Sequence, residues 1–272
     1  METRGVSAVK TMAYYLYLIT SSNAPDLTQG MPAAIEDDTS LEWITVGRLA
    51  ALASQVPLDD YNEESLAQHL ADPAWTAVRA MRHEHVMEHF TRSANVVPLR
   101  FGSIYLERSN VERMLEERSD ELLGLLERLN GKVEWGVNVY CDRNQLLAGI
   151  TSVSHKLKDL IDQAQNASPG QAYLINKKVE TLKADEARTE LVRIVDQVQL
   201  DLARFSDDTK RLRILKVEAT EFGELKGKFA FLIKRDGFEP FRDEAERIAG
   251  EYQAAGVKLE LTGPWPAYNF TS

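Results

Sequence analysis

The chain has 272 residues, a length that suits one large domain or two smaller ones. Hydrophobic residues make up 44% of it and charged residues 27%, a balance typical of globular proteins that excludes a disordered or fibrous chain. Because 42 acidic side chains outnumber 32 basic ones, the net charge of -10 repels phosphate backbones and anionic lipid headgroups, so neither nucleic acid nor a lipid membrane is expected as a partner.

The N-terminal region resembles a signal peptide in one respect, since Arg4 and Lys10 precede an apolar stretch at residues 12–19. That stretch is short and aromatic, no A-x-A cleavage site follows it, and no segment approaches the roughly 20 apolar residues that span a bilayer. We predict a loose leader at residues 1–11, followed by the first β-strand. The single cysteine, Cys141, rules out an internal disulfide and is interpreted as a small core side chain of a cytoplasmic protein.

Strand and helix patterns alternate in the first half of the chain. Apolar or alternating residues predict strands at three segments: 13–20, 41–46 and 96–105. Residues 49–56 fit either a third strand or a short helix, since Ala and Leu favour a helix whereas a hairpin after Gly47 favours a strand. Helical periodicity predicts three helices: one from residue 62, one over 74–93 and one over 110–129. The second of these is expected to bury five apolar side chains: Trp75, Val78, Met81, Val86 and Phe90.

The strand predicted at residues 96–105 contains a proline. Val97, Leu99 and Phe101 alternate there with Pro98 and Arg100, as in a strand with two different faces. Because Pro98 lacks an amide donor, we expect it at a sheet edge, a strand start or a bulge.

The second half of the chain shows, in order, one strand, helices, two strands, one helix and a last strand. Residues 133–141 alternate between Val133, Trp135, Val137 and Val139, expected inside, and Glu134, Asn138 and Tyr140, expected outside. Helix patterns then cover 143–165, 171–205 and 240–255, and strand patterns cover 212–219, 228–234 and 257–261. As one helix, residues 171–205 would be roughly 50 Å long, with a clear apolar stripe only in their C-terminal half.

The order of strands and helices in the second half is that of the split βαβ plan, so we predict an α+β protein of two domains. The boundary is placed near Asn130-Gly131. Residues 1–130 then form an N-terminal α+β domain, interpreted as a sheet with helices on one face. Residues 131–272 form a ferredoxin-like domain that includes an extended tail at 263–272.

Two patterns suggest chemistry. His85-Val86-Met87-Glu88-His89 fits the H-x-x-E-H motif of inverted zinc proteases, but both histidines lie on the helix side that holds Val78, and spacing assigns no third ligand. Lys226, Lys228, Lys234 and Arg235 lie close to Phe229 and Phe231, as on an RNA-binding sheet, but without an RNP signature. A zinc-dependent hydrolase and a ligand- or RNA-binding module therefore stay as alternatives. We predict no catalytic residues, no metal ligands and no cofactor.

A series of short motifs runs from the first strand to the C-terminus. In chain order they are Tyr15-Leu16-Tyr17, His83-Glu84, Val97-Pro98-Leu99-Arg100-Phe101-Gly102, Gly131-Lys132-Val133-Glu134-Trp135, Gly170-Gln171-Ala172-Tyr173-Leu174, Leu261-Thr262-Gly263-Pro264-Trp265-Pro266 and Tyr268-Asn269-Phe270. Together they resemble the gas vesicle protein F/L family over about residues 12–270. Ala267 departs from the family pattern, in which a second proline is common at that position.

The resemblance implies a two-domain protein with a modified ferredoxin-like C-terminal half and no catalytic activity. It implies a role in gas vesicle assembly, with binding to the small hydrophobic shell protein and to other accessory proteins, or retention as a minor shell component. The location would be cytoplasmic, on gas vesicles. An apolar groove or a sheet edge near Pro98 in the N-terminal half is our hypothesis for the shielding surface.

The motif residues have a structural and a partner-binding interpretation. For Arg100, Phe101 and Gly102 we favour the role of anchoring a strand and its turn, and Pro98 is assigned either role. Trp265, between Pro264 and Pro266, is predicted to hold the tail over the sheet as an apolar plug. Tyr173 opens a helix and is assigned either role.

Overall fold

The computed structural model of the chain describes residues 11–23, 30–214, 219–220 and 222–271. The chain divides into two compact units, Met1–Gly131 with Pro266–Ser272, and Lys132–Trp265. The division falls one residue from the predicted boundary, but residues 266–272 belong to the first unit and not to the second, where we had expected the tail. No helix in the described ranges is long and apolar enough to cross a membrane.

The first unit is built on an antiparallel sheet. Its strands are β1 (Met12–Ser21), β2 (Leu41–Val46), β3 (Leu49–Pro57), β4 (Val96–Pro98) and β5 (Ile104–Tyr105). They lie in the order β2-β3-β1-β4, with β5 also pairing with β1. Residues 49–56 are thus a strand, because the hairpin at Gly47, where φ is 57°, brings β3 back along β2.

Helices cover both faces of this sheet. They are α1 (Leu58–Tyr61), α2 (Glu63–Leu70), α3 (Pro73–Thr91), α4 (Arg108–Glu117) and α5 (Ser119–Leu129). On one face of β1, Tyr15 and Tyr17 pack with α3, and on the other, Leu16 and Ile19 pack with α4 and α5. The prediction of helices on one face was wrong, and burial on both faces explains why β1 is apolar almost throughout.

The inward side of α3 differs from the predicted one. Val78 is 50% exposed and Met81 61% exposed, whereas the buried residues of the helix are His83, Val86, Met87 and Phe90. These four follow the i, i+3, i+4, i+7 spacing of one helical face. Met81 lies two residues before His83, roughly 200° around the helix, and therefore faces outward.

Two other predicted elements are divided. The helix expected over 110–129 breaks at Arg118, whose side chain donates to both carboxylate oxygens of Glu121 in the first turn of α5. The strand expected over 96–105 ends at Pro98, and residues 99–103 turn before β5. Gly102 has a φ of 84°, which glycine adopts without strain and other residues do not. Leu99 consequently packs on one face of the sheet and Phe101 on the other.

The second unit holds a second antiparallel sheet. Its strands are β6 (Lys132–Cys141), β7 (Asp208–Arg211), β8 (Ala219–Thr220), β9 (Gly223–Lys234) and β10 (Val257–Trp265). Their order is β10-β6-β9-β7, with β8 on β9. The helices are α6 (Arg143–Val153), α7 (His155–Gln165), α8 (Pro169–Ala203) and α9 (Phe238–Tyr252). The core joins Val137, Val139, Phe229 and Phe231 of the sheet to Ile194 and Ile248 of the helices.

Some predicted bounds in this unit were wrong. The strand expected at 212–219 is β7 at Asp208–Arg211, a polar segment that is a strand only because it pairs with β9. Residues 215–218 of that prediction lie outside the described residues. Glu134, expected outside, is buried, whereas Trp135, expected inside, is half-buried and stacks on Phe238 with ring centroids 4.1 Å apart.

The longest helix, α8, runs unbroken over 35 residues, or roughly 50 Å. Pro169 occupies its first turn, as expected for a residue without an N–H to satisfy, and Ser168 with Gln171 forms a capping box. Its C-terminal half buries Ile194, Val198 and other apolar residues, whereas Tyr173 and Leu174 near its start are 68% and 65% exposed.

Candidate functional site

Four of the sequence motifs meet in a buried cluster of the first unit. We call it the His83 cluster, and its residues are Tyr15, Tyr17, His83, Glu84, Phe101 and Tyr268. The His83 ring stacks on Tyr17, with ring centroids 5.6 Å apart, and makes edge contacts with Tyr15 at 5.8 Å and Phe101 at 5.9 Å. Tyr268 of the C-terminal tail stacks on the same ring at 6.3 Å. One imidazole therefore holds the first strand, α3, the turn after β4 and the tail together.

A chain of hydrogen bonds with one direction runs through this cluster. The Gly102 N–H donates to Tyr15 Oη at 3.3 Å. The Tyr15 hydroxyl is therefore free to donate its own hydrogen bond to His83 Nδ1 at 2.8 Å. At the other end Tyr268 Oη donates to Glu84 Oε1 at 3.1 Å, and His83 Nε2 lies 3.2 Å from Tyr268 Oη. With an amide donor at one end and a carboxylate acceptor at the other, His83 is assigned as the neutral tautomer with its proton on Nε2.

Burial sets the protonation states of the cluster. Desolvation lowers the pKa of His83 to about 4, although the Leu99 carbonyl opposes the shift. Desolvation also raises the pKa of Tyr15 far above its usual range and that of Tyr17 to about 12. Burial raises the pKa of Glu84, and the hydrogen bond from Tyr268 counteracts the rise. At neutral pH the histidine and the tyrosines are uncharged, as a mostly apolar core requires.

A second network, which sequence reasoning missed, ties the segment before β2 to α3. Arg79 donates to both carboxylate oxygens of Glu36, at 2.8 and 3.0 Å, and its guanidinium lies 4.1 Å from the centroid of the Trp75 ring. The Tyr61 hydroxyl donates to the same Glu36 carboxylate at 2.5 Å. Glu36 lies in a segment without periodicity, so its pairing is visible only in three dimensions.

These contacts hold the fold and enclose the His83 imidazole. His83 is only 1% exposed, and aromatic rings surround it, so a substrate has no approach to its nitrogens. The cluster instead anchors the tail, whose Phe270 is fully buried and whose Phe270 carbonyl accepts from the Arg128 guanidinium.

The remaining motif residues are not gathered at one place. Pro98 is buried in the edge strand β4, and Arg100 is exposed, with its carbonyl accepting from the Ser103 hydroxyl at 2.7 Å. Trp265, predicted to hold the tail as an apolar plug, is 44% exposed, whereas Phe270 of the tail is fully buried. Pro264, Pro266 and Tyr173 do not join the cluster, and the Gly263-Pro264 peptide is cis.

The histidines and the glutamate of the H-x-x-E-H pattern are exposed or half-buried. His85 is exposed, Glu88 forms an ion pair with Arg92, and the ring of His89 makes an edge contact with Phe90 at 4.9 Å. In the part of the chain that the structure describes, no group of three or more His, Cys, Asp or Glu side chains is placed to hold a metal ion. A zinc site would therefore need ligands beyond those that the helix supplies.

Chelation tests this interpretation. Because one of the three side chains is in an ion pair and the described residues place no third ligand beside the two histidines, we expect EDTA to leave the melting temperature of the purified protein unchanged. A stoichiometric zinc content, measured by inductively coupled plasma mass spectrometry and lost together with stability on chelation, would contradict it.

Two further sequence features lose their chemical interpretation. Phe229 and Phe231, which would stack on bases in an RNA-binding sheet, are fully buried against the helices of the second unit. Burial raises the pKa of the Cys141 thiol to about 11, which keeps it protonated and unreactive at neutral pH.

The chain is similar to known gas vesicle proteins. The family model for the gas vesicle synthesis protein GvpL/GvpF matches residues 13–272. Gas vesicle protein L of Streptomyces sp. (strain CB03234) is 28% identical over 231 residues, covering 82% of this chain and 80% of that protein. Gas vesicle protein F of the same strain is 27% identical over 265 residues, covering 95% and 99%.

Solved structures of the same group share the fold. The crystal structure of the gas vesicle protein GvpF from Anabaena sp. PCC7120 gives a TM-score of 0.67 at 17% identity and covers 96% of each chain. That of GvpF from Microcystis aeruginosa gives 0.63 at 18% identity, covering 96% of this chain and 99% of that one. The resemblance seen in the motifs is confirmed: the chain belongs to the GvpL/GvpF family of gas vesicle synthesis proteins.

Proposed function

We propose that this chain is an accessory protein of gas vesicle assembly that binds the small hydrophobic shell protein. The family match over residues 13–272 carries the role in gas vesicle formation. A shell subunit with an apolar gas-facing side would aggregate before it is polymerised, and an acidic partner with exposed apolar side chains would shield it. The proposed location is the cytoplasm, on gas vesicles, with other accessory proteins as further partners.

Deletion of the gene in a vesicle-forming host tests the role itself. Cells that lack the chain should fail to float, and the wild-type chain supplied in trans should restore flotation. Normal flotation of the deleted strain would contradict the proposal.

We place the shell-binding surface on α3 of the first unit. Our hypothesis of an edge near Pro98 has little support, since β4 has three residues and all three are buried. Val78 and Met81, in contrast, lie one turn apart on the outer side of α3 and are 50% and 61% exposed. Exposed large apolar side chains on one helical face are the surface that an apolar partner helix or sheet would cover.

Replacing both Val78 and Met81 with glutamine tests this surface. We expect Val78→Gln with Met81→Gln to weaken co-purification with the shell protein at least about tenfold, because the contact loses its apolar area. The melting temperature should not change, since both side chains are exposed. The matched control is Tyr173→Gln with Leu174→Gln, an apolar pair on α8 of the second unit that is more exposed than the α3 pair. Lost binding in the control and intact binding in the α3 variant would move the surface to α8.

For the second unit we propose a ferredoxin-like domain. The strand order β10-β6-β9-β7, with antiparallel neighbours and helices after β6 and β9, supports this assignment. We also propose that the two units are separate domains, as the family resemblance implies.

A further inference from the structure

The second sheet has an open edge beside a cleft. β10 is the end strand of the sheet and pairs with β6 on one side only, among the strands of the described residues. A cleft of about 490 Å³ lies along it, and its lining includes Tyr140, Phe222, Gly250, Gln253, Leu259 and Glu260. The first proline of the strand is Pro264, so residues 257–261 keep every backbone N–H. An edge of this kind is a template for one more strand.

The cleft is lined by one carboxylate, that of Glu260, and one amine, that of Lys258. Glu260 is half-buried, and its Oε2 accepts from Asn138 Nδ2 at 2.9 Å and from Tyr140 Oη at 3.0 Å, two neutral donors that leave its charge in place. In the described parts of the second unit, no ion pair includes Glu260. Lys258, two residues away on the same face of β10, places its Nζ 5.0 Å from the Phe222 ring instead.

We propose that β10 binds an extended segment of a partner polypeptide, which adds to the sheet as an edge strand and places a lysine or arginine beside Glu260. Main-chain hydrogen bonds to β10 would supply the affinity. The ion pair with Glu260 and the apolar contact with Leu259 would select the sequence, because alternate side chains of the added strand fall on opposite faces. This surface lies on the second unit and does not depend on the shell-binding surface proposed for α3.

Two fluorescein-labelled peptides probe the edge. Each has ten residues, alternating valine with threonine and flanked by polar residues, and they differ only in a central lysine or glutamate. With the full-length chain, fluorescence anisotropy should give a Kd for the lysine peptide about tenfold lower than for the glutamate peptide. Glu260→Gln should abolish that preference. If the wild-type chain binds neither peptide, or binds both equally, the proposal is wrong.

A pair of glycine substitutions tests the cleft. Gly250→Trp in α9 fills it, and an added Cβ there meets no atom within 4 Å, so the fold should be kept. The matched control is Gly124→Trp in α5, another exposed helical glycine with open space around it. We expect at least a tenfold loss of lysine-peptide binding for Gly250→Trp and none for Gly124→Trp. Equal binding by the two variants would overturn the proposal.

A second copy of this chain is the rival occupant of the edge. Light scattering coupled to gel filtration would then show a dimer of the wild-type chain that Gly250→Trp dissociates, and this result would overturn the proposal of a separate partner. The flotation assay reports on the proposed function separately. Peptide binding by a chain that cannot restore flotation refutes that function only, whereas restored flotation without peptide binding refutes only the edge site.

Discussion

Phe270→Ala is expected to lower the free energy of unfolding of the first unit by about 3–5 kcal/mol. The Phe270 side chain is fully buried, and its removal leaves a cavity that the surrounding core cannot fill. Chemical denaturation followed by circular dichroism measures the change. Deletion of residues 266–272 should lower the free energy of unfolding further, because it also removes Tyr268 from the His83 cluster.

Trp265→Ala is the matched control for this prediction. Trp265 is the larger aromatic residue but is 44% exposed. Its replacement should therefore lower the free energy of unfolding by less than half as much as Phe270→Ala does. An equal or greater loss of stability for Trp265→Ala would contradict the anchoring role of Phe270. It would instead support the plug that the sequence predicted.

Acidification from pH 7 to pH 4 is expected to remove about 3 kcal/mol of stability through His83 alone. The pKa of this imidazole falls from 6.5 in the unfolded chain to about 4 in the fold, because burial disfavours the charged ring. Between these values the unfolded chain binds a proton that the folded chain does not. This contribution is therefore fully present above pH 6.5 and is lost as the pH falls to 4.

Comparison of the wild-type chain with His83→Gln isolates the contribution of His83 to the pH dependence of stability. Both chains keep Glu84, whose raised pKa acts in the opposite direction, since the fold takes up that proton more readily than the unfolded chain does. The variant should be less stable at pH 7 and its stability should fall less steeply between pH 6.5 and 4. If the variant does not fold, the wild-type imidazole can be followed by NMR. A His83 resonance that titrates near pH 6.5 would disprove the buried neutral histidine.

Local sequence determined much of the architecture. Periodicity of 2 or 3.6 residues predicted β2, β6, α3 and α9 with small errors at their ends, and a run of apolar and aromatic residues predicted β1. Proline and glycine marked several ends correctly, as at Gly256, whose φ of 72° ends the 3-10 turn Gln253–Ala255 that follows α9. The ordered motifs were sufficient to identify the family.

Other features depend on partners far away in the sequence. β7 is polar and is a strand only because β9 pairs with it, so no local pattern could predict it. The outward position of Met81 and the burial of Glu134 likewise depend on which face meets the core.

The His83 cluster joins residues from four segments, and the tail that completes it comes from the opposite end of the chain. The sequence by itself determined the position of most strands and helices and the family of the chain. Only the tertiary structure decided that one buried imidazole joins these segments, since desolvation and directional hydrogen bonds act between residues brought together by folding.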